Sequence, residues 1–363
     1  MWWLPITIIG GAILLSNKKQ KNKNKLNMAN CNKLFLDYEK NLTISKRKRD
    51  KLKDSKEVLR ERIRKYFKEN HKDYNPEFYI QGSYKMKTTI ITKDDECDLD
   101  DGVYFEREAD VTATTLQKWV KNALDGATVS PVQHRKKCLR VLYQGDYHID
   151  FPVYIFPEND EHPSLAVKDG DFEESDPKEV VDWYVNEKAK YNQLNRVVKY
   201  LKGWGDIKRN KMPSGLAMTI LAANNLQENE RDDIALKNTL IKIQEVLEDS
   251  FECIVPATPE DDLFEDYEKV RKDNFLNNLD DFIKDAKKAI ENEANQLKSS
   301  KLWRKHLGDK FPEGEDIDMD AKEKELNAIA SSILAGKSYS HKDGHISEEK
   351  SPVKNKPHTN YGG

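Results

Sequence analysis

Between Ser45 and Lys72 the chain is densely charged, yet Leu52, Val58, Leu59, Ile63 and Phe67 recur at the steps that one apolar helix face requires. A long amphipathic helix is expected there. Its basic cluster Lys46-Arg47-Lys48-Arg49 is interleaved with Asp50, Asp54, Glu57 and Glu61, so it reads as a solvated face rather than a polyanion site. After Pro76 the pattern shortens to a strand period. Phe78-Tyr79-Ile80, Cys97 to Phe105, Leu139 to Tyr143 and Tyr147 to Phe156 are brief runs rich in β-branched or aromatic residues. A mixed sheet backed by helices is expected. From Asp176 the helical period returns, with Val180, Val181 and Tyr184, then Leu194, Val197, Val198, Leu201 and Trp204 on one stripe. Ser175-Asp176-Pro177 opens that region, because Ser or Asp caps a helix and Pro is tolerated at its first positions. Further helices are expected at 216–226, 234–247, 275–297 and 321–334. The fold class is therefore α+β, with a sheet-bearing domain over 28–175 that includes the long N-terminal helix and a helical lobe over 176–335. Residues 336–363 hold Ser, Lys, His, Asn, Pro and Gly with few aliphatics and are expected to be disordered.

Residues 1–27 stand apart. Residues 2–15 are apolar and are succeeded at once by a lysine-rich run. At about 1.5 Å per residue such a helix falls short of a hydrocarbon core of about 30 Å. It lacks the basic flank and cleavage site of a secretory signal, and its lysines would keep the remainder of the chain inside. Two readings stand: a short membrane tether, or an over-called start with Met28 opening the protein.

Charge excludes one class of function. With 61 basic and 64 acidic residues the net charge is −3, so no generic polycation binds DNA here by charge alone. The 33 aromatic residues argue for a folded core. Cys31, Cys97, Cys138 and Cys253 are scattered, with no C-x-x-C pair, which offers neither a disulfide framework nor a zinc site and points to a reducing, cytoplasmic compartment.

The candidate chemistry lies in three pieces of the β-rich half. Gln81-Gly82-Ser83 comes directly after a strand, and a Gly-Ser turn there exposes amides and a hydroxyl suited to phosphate. In Cys97-Asp98-Leu99-Asp100-Asp101-Gly102, strand alternation puts Asp98 and Asp100 on one face and Cys97 and Leu99 on the other. Two carboxylates so placed repel unless a cation sits between them, and hard oxygen ligands suit Mg²⁺. Asp150, in Tyr147-His148-Ile149-Asp150-Phe151, is polar inside an apolar run. If its strand lies beside that of Asp98 and Asp100, three carboxylates converge.

The order Gly-Ser, Asp-x-Asp, strand Asp resembles that of the polymerase β-like nucleotidyltransferases. The wording around it, with Ser175-Asp176-Pro177-Lys178, Asp182-Trp183, Lys202 with Trp204, and Pro213-Ser214 in the same sequence, resembles the cGAS/DncV-like branch (CD-NTases) of bacterial CBASS anti-phage systems. The likeness covers roughly residues 34–311. It implies a nucleotidyltransferase palm with a C-terminal helical lobe, and a synthase joining ATP and/or GTP into a cyclic dinucleotide or oligonucleotide, cyclic GMP-AMP favoured, with release of pyrophosphate. The product would act as a second messenger, so a downstream effector would meet the enzyme only through it. Asp98, Asp100 and Asp150 would hold two Mg²⁺ ions, with Mn²⁺ as a substitute and no zinc, and Asp150 would accept the proton. Gln81, Gly82, Ser83, Tyr84, Arg140, Ser175, Lys202, Ser214 and Asp261 would contact the nucleotides. The resemblance implies no obligatory DNA. Some systems of this family pair the cyclase with an E1–E2-like conjugating enzyme, and the terminal Asn360-Tyr361-Gly362-Gly363 suggests Gly363 as a conjugation site. The competing reading is a linear nucleotidyltransferase acting on RNA or protein, which would need a positive groove that the balanced charge does not advertise. Trp183, Trp204 and His148 are expected to be structural.

Overall fold

Residues 29–317, 319–350 and 353–354 are described by a computed structural model. Asn32–Ala286 with Trp303–Pro312 form one compact unit, and the described residues of the remainder form a second. The boundary expected at residue 175 does not divide the larger unit, which contains both the sheet and the helices after it.

In that unit α1 (Asn32–Leu42) leads to α2 (Lys46–Asn70), capped by the Ser45 side chain, which accepts from the Lys48 amide at 3.2 Å. Leu52, Leu59, Ile63 and Phe67 are fully buried as expected, but Val58 is 61% exposed. It precedes Leu59 by one residue, and a turn of about 100° carries it off the apolar stripe.

The sheet contains β1 (Pro76–Gln81), β2 (Cys97–Phe105), β3 (Gln133–His134), β4 (Leu139–Tyr143), β5 (Tyr147–Phe151), β6 (Val153–Ile155), β7 (Ser164–Ala166) and β8 (Phe172–Glu174). Its order is β3-β4-β5-β2-β6-β7-β8, with β1 also paired to β2. Strand β2 is the hub: antiparallel to β1, parallel to β5 over its first half and parallel to β6 over its second. The single strand expected from Tyr147 to Phe156 is two, because Pro152 has no N–H for the ladder; its carbonyl still accepts from Val103 N at 2.9 Å. One hydrophobic core joins residues of α2 and of α4 (Ala113–Leu124) with Leu99, Val103, Val141, Ile149 and Phe151 of the strands.

Beyond the sheet the helices are α5 (Pro177–Lys190), α6 (Leu194–Lys208), α7 (Gly215–Asn225), α8 (Asp232–Asp249), α9 (Lys269–Glu291) and α10 (Gln296–Leu307). The short α3 (Gly82–Met86) adjoins the end of β1. Asp176, with Pro177 at the first helical position, caps α5. Where one helix was expected over 275–297, α9 stops at Glu291, and the Asn295 side chain accepts from Lys298 N at 3.0 Å to start α10. In the second unit α11 (Met319–Leu334) precedes three two-residue strands, β9 (Tyr339–Ser340), β10 (Ile346–Ser347) and β11 (Val353–Lys354), paired in the order β10-β9-β11. The stretch from Gly336 was expected to carry no fold; backbone pairing gives it this small sheet.

None of the four cysteines is joined in a disulfide among the described residues. Among the described residues no helix is long and apolar enough to cross a membrane. Residues 2–15 and Gly363, the expected tether and conjugation site, lie outside the described residues.

Candidate active site

The pleat of β2 sorts its acidic run. Cys97 and Leu99 are buried in the core, while Asp98 and Asp100 are half-buried and line a cleft of about 620 Å³. Asp101, one step further, is fully buried and takes a bidentate pair from Arg60 of α2, with Nε donating to Oδ2 at 2.7 Å and a terminal nitrogen to Oδ1 at 2.5 Å. That pair ties the long helix to the sheet.

Parallel pairing sets Asp150 of β5 in register with Asp100 of β2, and antiparallel pairing sets Arg140 of β4 in register with Asp150. The three carboxylates therefore share one sheet face. Asp100 is pushed up to about 8 by burial and by the charges of Asp98 and Asp150, against the pull of Lys202 and Arg140. Arg140 donates to both Asp150 oxygens at 2.6 Å. A carboxylate so held keeps further lone pairs. His148, on the same face and in register with Asp98, has a buried Nε2 without a hydrogen-bond partner, and burial lowers its pKa.

The Gly-Ser turn abuts this group because Gln81 is in register with Asp100. Gly82 has φ +60°, and a Cβ there would come within 2.3 Å of Asp100 Oδ2. Only glycine fits. Ser83 Oγ lies 2.8 Å from Thr89 Oγ1. Lys202 of α6 donates to Thr88 Oγ1 at 3.1 Å; burial pushes its pKa down to about 8, opposed by Asp98 and Asp100. Gln81 donates to the Tyr154 hydroxyl at 3.0 Å and accepts from the Tyr104 hydroxyl at 3.2 Å. The Tyr104 and Tyr154 rings stack at 4.5 Å.

Of the residues expected at the site, Gln81, Gly82, Ser83, Asp98, Asp100, Ser175, Lys202 and Asp261 line the cleft. Asp150 adjoins it through the register with Asp100. Arg140 reaches the group through Asp150. Ser214 is spent as the cap of α7, accepting from Ala217 N at 3.2 Å, while its neighbours Pro213 and Gly215 line the cleft. Tyr84 does not line it; it borders a separate hollow with Arg49, Lys87 and Lys199 and packs on the sheet core. Trp204 is buried in the core against Phe275 and Phe282, as expected. Sequence reasoning missed Thr88, Thr89, Tyr154 and Thr258, which carry no motif of their own and reach the cleft.

The donor set fits a hard divalent cation: three carboxylates on one face, with Asp100 held above the ordinary carboxylate range by burial and its anionic neighbours. A second group, His162, Asp176 and Glu179, also has its ligand atoms within 4.8 Å of one another. In that group His162 Nδ1 meets Asp176 Oδ2, His162 Nε2 meets the Thr258 hydroxyl, and Glu179 Oε2 accepts from the Thr258 amide.

Residues 76–154 match the family model of the cyclic GMP-AMP synthase DncV-like nucleotidyltransferase domain. The chain is 24% identical over 230 residues to a cyclic GMP-AMP synthase of Escherichia coli strain TW11681, a match covering 48% of this chain and 53% of that one. It thus spans about half the length of the curated relatives it matches. The crystal structure of Vibrio cholerae DncV cyclic AMP-GMP synthase superposes with TM-score 0.68 at 17% identity, covering 78% of this chain and 97% of that one. Escherichia coli DncV in its 3'-deoxy GTP bound form superposes with TM-score 0.62 at 22% identity, covering 74% and 93%. The sheet and helices accordingly have the fold of these DncV structures, and residues 76–154 are similar to the DncV-like nucleotidyltransferase domain.

Proposed function

We propose that the protein is a nucleotidyltransferase that joins ATP and/or GTP into a cyclic dinucleotide or oligonucleotide, releasing pyrophosphate, as a second messenger of anti-phage defence. The observation that carries this reading is the meeting of Asp98, Asp100 and Asp150 with the Gly82-Ser83 turn and Lys202 around one cleft. Three of the relatives bear on it by name: the two Escherichia coli proteins are called cyclic GMP-AMP synthases, and one Vibrio cholerae DncV structure holds the linear intermediate 5' pppA(3',5')pG.

Asp98, Asp100 and Asp150 hold two Mg²⁺ ions in this reading. When bound, divalent cations there supply Lewis acidity for the attacking ribose hydroxyl and charge neutralisation for the pyrophosphate. The chain's own groups do the rest. Ser83 and the turn amides hold the donor triphosphate, and Thr89 fixes the Ser83 hydroxyl. Lys202 brings a positive charge to the phosphates from α6, held in place by Thr88. Asp150 is the proton acceptor, oriented by the Arg140 pair. Ser175 and Asp261 face the nucleotides from the cleft wall.

The test is incubation of the purified chain with labelled NTPs and Mg²⁺, then treatment with phosphatase. A cyclic product survives phosphatase and is identified by mass spectrometry. A linear product would lose only its terminal phosphates and be recovered by mass spectrometry as an open oligonucleotide with a free 5' hydroxyl, which would favour linear transfer instead; nucleosides and phosphate alone would mean that no transfer had occurred.

A further inference from the structure

Thr258, Pro259 and Asp261 line the cleft from the segment between α8 and α9. That segment has little regular structure of its own beyond a bridge between Ile254 and Asp262. It is held from outside. The Thr258 amide donates to Glu179 Oε2 at 2.8 Å, and the Thr258 carbonyl accepts from Asp176 N at 3.1 Å. The Thr258 hydroxyl lies 3.2 Å from His162 Nε2, and His162 Nδ1 lies 3.3 Å from Asp176 Oδ2. Asp176 spends its other oxygen, Oδ1, on the amides of Lys178 and Glu179 at the start of α5.

The tautomer is set by the partners. Carboxylate oxygen can only accept, so Nδ1 carries the proton toward Asp176 and, in the neutral ring, Nε2 accepts from the Thr258 hydroxyl. Every polar atom of Thr258 is then used in holding the segment. Thr258 is a strut, whereas the Asp261 side chain, two residues past Pro259, is exposed at the cleft wall. His162 is the keystone of this bracing: it comes from the loop between β6 and β7 and joins the cap of α5 to the α8–α9 segment through one ring.

We propose that His162 is a positioning residue for nucleotide recognition, holding the Thr258–Asp261 segment against the one nucleotide whose base or ribose meets that wall. The proposal rests on reading the cleft as an NTP site. It assigns His162 no contact with substrate.

The test uses the full chain with Mg²⁺ and non-hydrolysable analogues of ATP, GTP, CTP and UTP, with affinities measured by calorimetry. His162→Ala removes one hydrogen bond from each of two partners and should weaken binding of one nucleotide about three- to tenfold. The other nucleotides bound by the wild type should stay within about twofold. His162→Gln, whose amide nitrogen can reach Asp176 and whose oxygen can accept from Thr258, should restore most of the loss. Glu179→Ala, which removes the acceptor for the Thr258 amide, should weaken the same nucleotide. Equal weakening of every nucleotide, or no weakening in either alanine variant, would overturn the proposal. A wild type that binds nucleotides yet makes no cyclic product would overturn the synthase reading alone; a wild type that binds none would overturn both.

Discussion

Asp100 carries a cost that substitution can reveal. Its carboxyl is pushed up to about 8 by burial and by Asp98 and Asp150, against roughly 3.9 in an unfolded chain. Between those values the folded protein binds a proton that the unfolded chain has released, so this group's contribution to stability falls as pH rises from about 4 to about 8. At about 1.4 kcal/mol per unit, linkage alone would cost up to about 6 kcal/mol across that window. Asp100 is only half-buried and opens onto the cleft, so solvent screening brings the expected figure to about 1–2 kcal/mol. Asp100→Asn keeps the shape and removes the charge. In urea denaturation with EDTA, the variant should be more stable than the wild type by that amount at pH 8, and the gap should close toward pH 5. Adding Mg²⁺ at pH 8 should stabilise the wild type and leave the variant nearly unmoved. An Asp100→Asn protein no more stable than wild type at pH 8 in EDTA, or a gap unchanged at pH 5, would refute the account of the carboxylate cluster.

Asp98→Ala with Asp100→Ala should abolish product formation in the labelled-NTP assay while leaving the circular dichroism spectrum unchanged, because both side chains face the cleft rather than the core. Ser83→Ala should raise the apparent KM for NTP several-fold and lower kcat, a graded loss since the turn amides share the phosphate load; steady-state kinetics would show it. Arg60→Ala should cost about 3–5 kcal/mol in urea denaturation by leaving the Asp101 carboxylate buried and unpaired, and Asp101→Asn should cost less.

The positions of the carboxylates were legible in the sequence because strand alternation is local. Asp98 and Asp100 against Cys97 and Leu99 is a pattern that one strand suffices to produce, and the structure reproduces it. Convergence with Asp150 was conditional on strand pairing, a long-range fact that the parallel register of β2 and β5 supplies. Val58 and the split strand at Pro152 show the opposite case: each is a local rule that a coarser pattern overlooked. Tyr84 adjoins a phosphate-type motif in sequence, yet α3 turns its ring toward the sheet core. The bracing of Thr258 left no trace in the sequence at all. Its partners, His162, Asp176 and Glu179, come from a loop and a helix start some 80 to 100 residues earlier, and hydrogen bonds of that kind have no periodicity to read.

On the proposed reading of the cleft as an NTP site, the charges around the three carboxylates explain how an anion would enter a site built from anions. Asp98, Asp100 and Asp150 would together repel a triphosphate if all were ionised and uncompensated. Arg140 neutralises Asp150 through a bidentate pair, and Lys202 lies close enough to Asp98 and Asp100 for their charges to favour its protonated form. Burial and its anionic neighbours hold Asp100 above the ordinary carboxylate range, which further lessens the negative charge of the group. Neither cation spends that charge on the turn. The Ser83 hydroxyl pairs with a neutral hydroxyl, that of Thr89, and lines the cleft. The arrangement therefore keeps a high local density of oxygen ligands without the field that would exclude the substrate, and it does so with one cation from the sheet and one from α6. Replacing Arg140 would remove the first of these compensations and expose Asp150, so its effect should appear in nucleotide affinity as well as turnover.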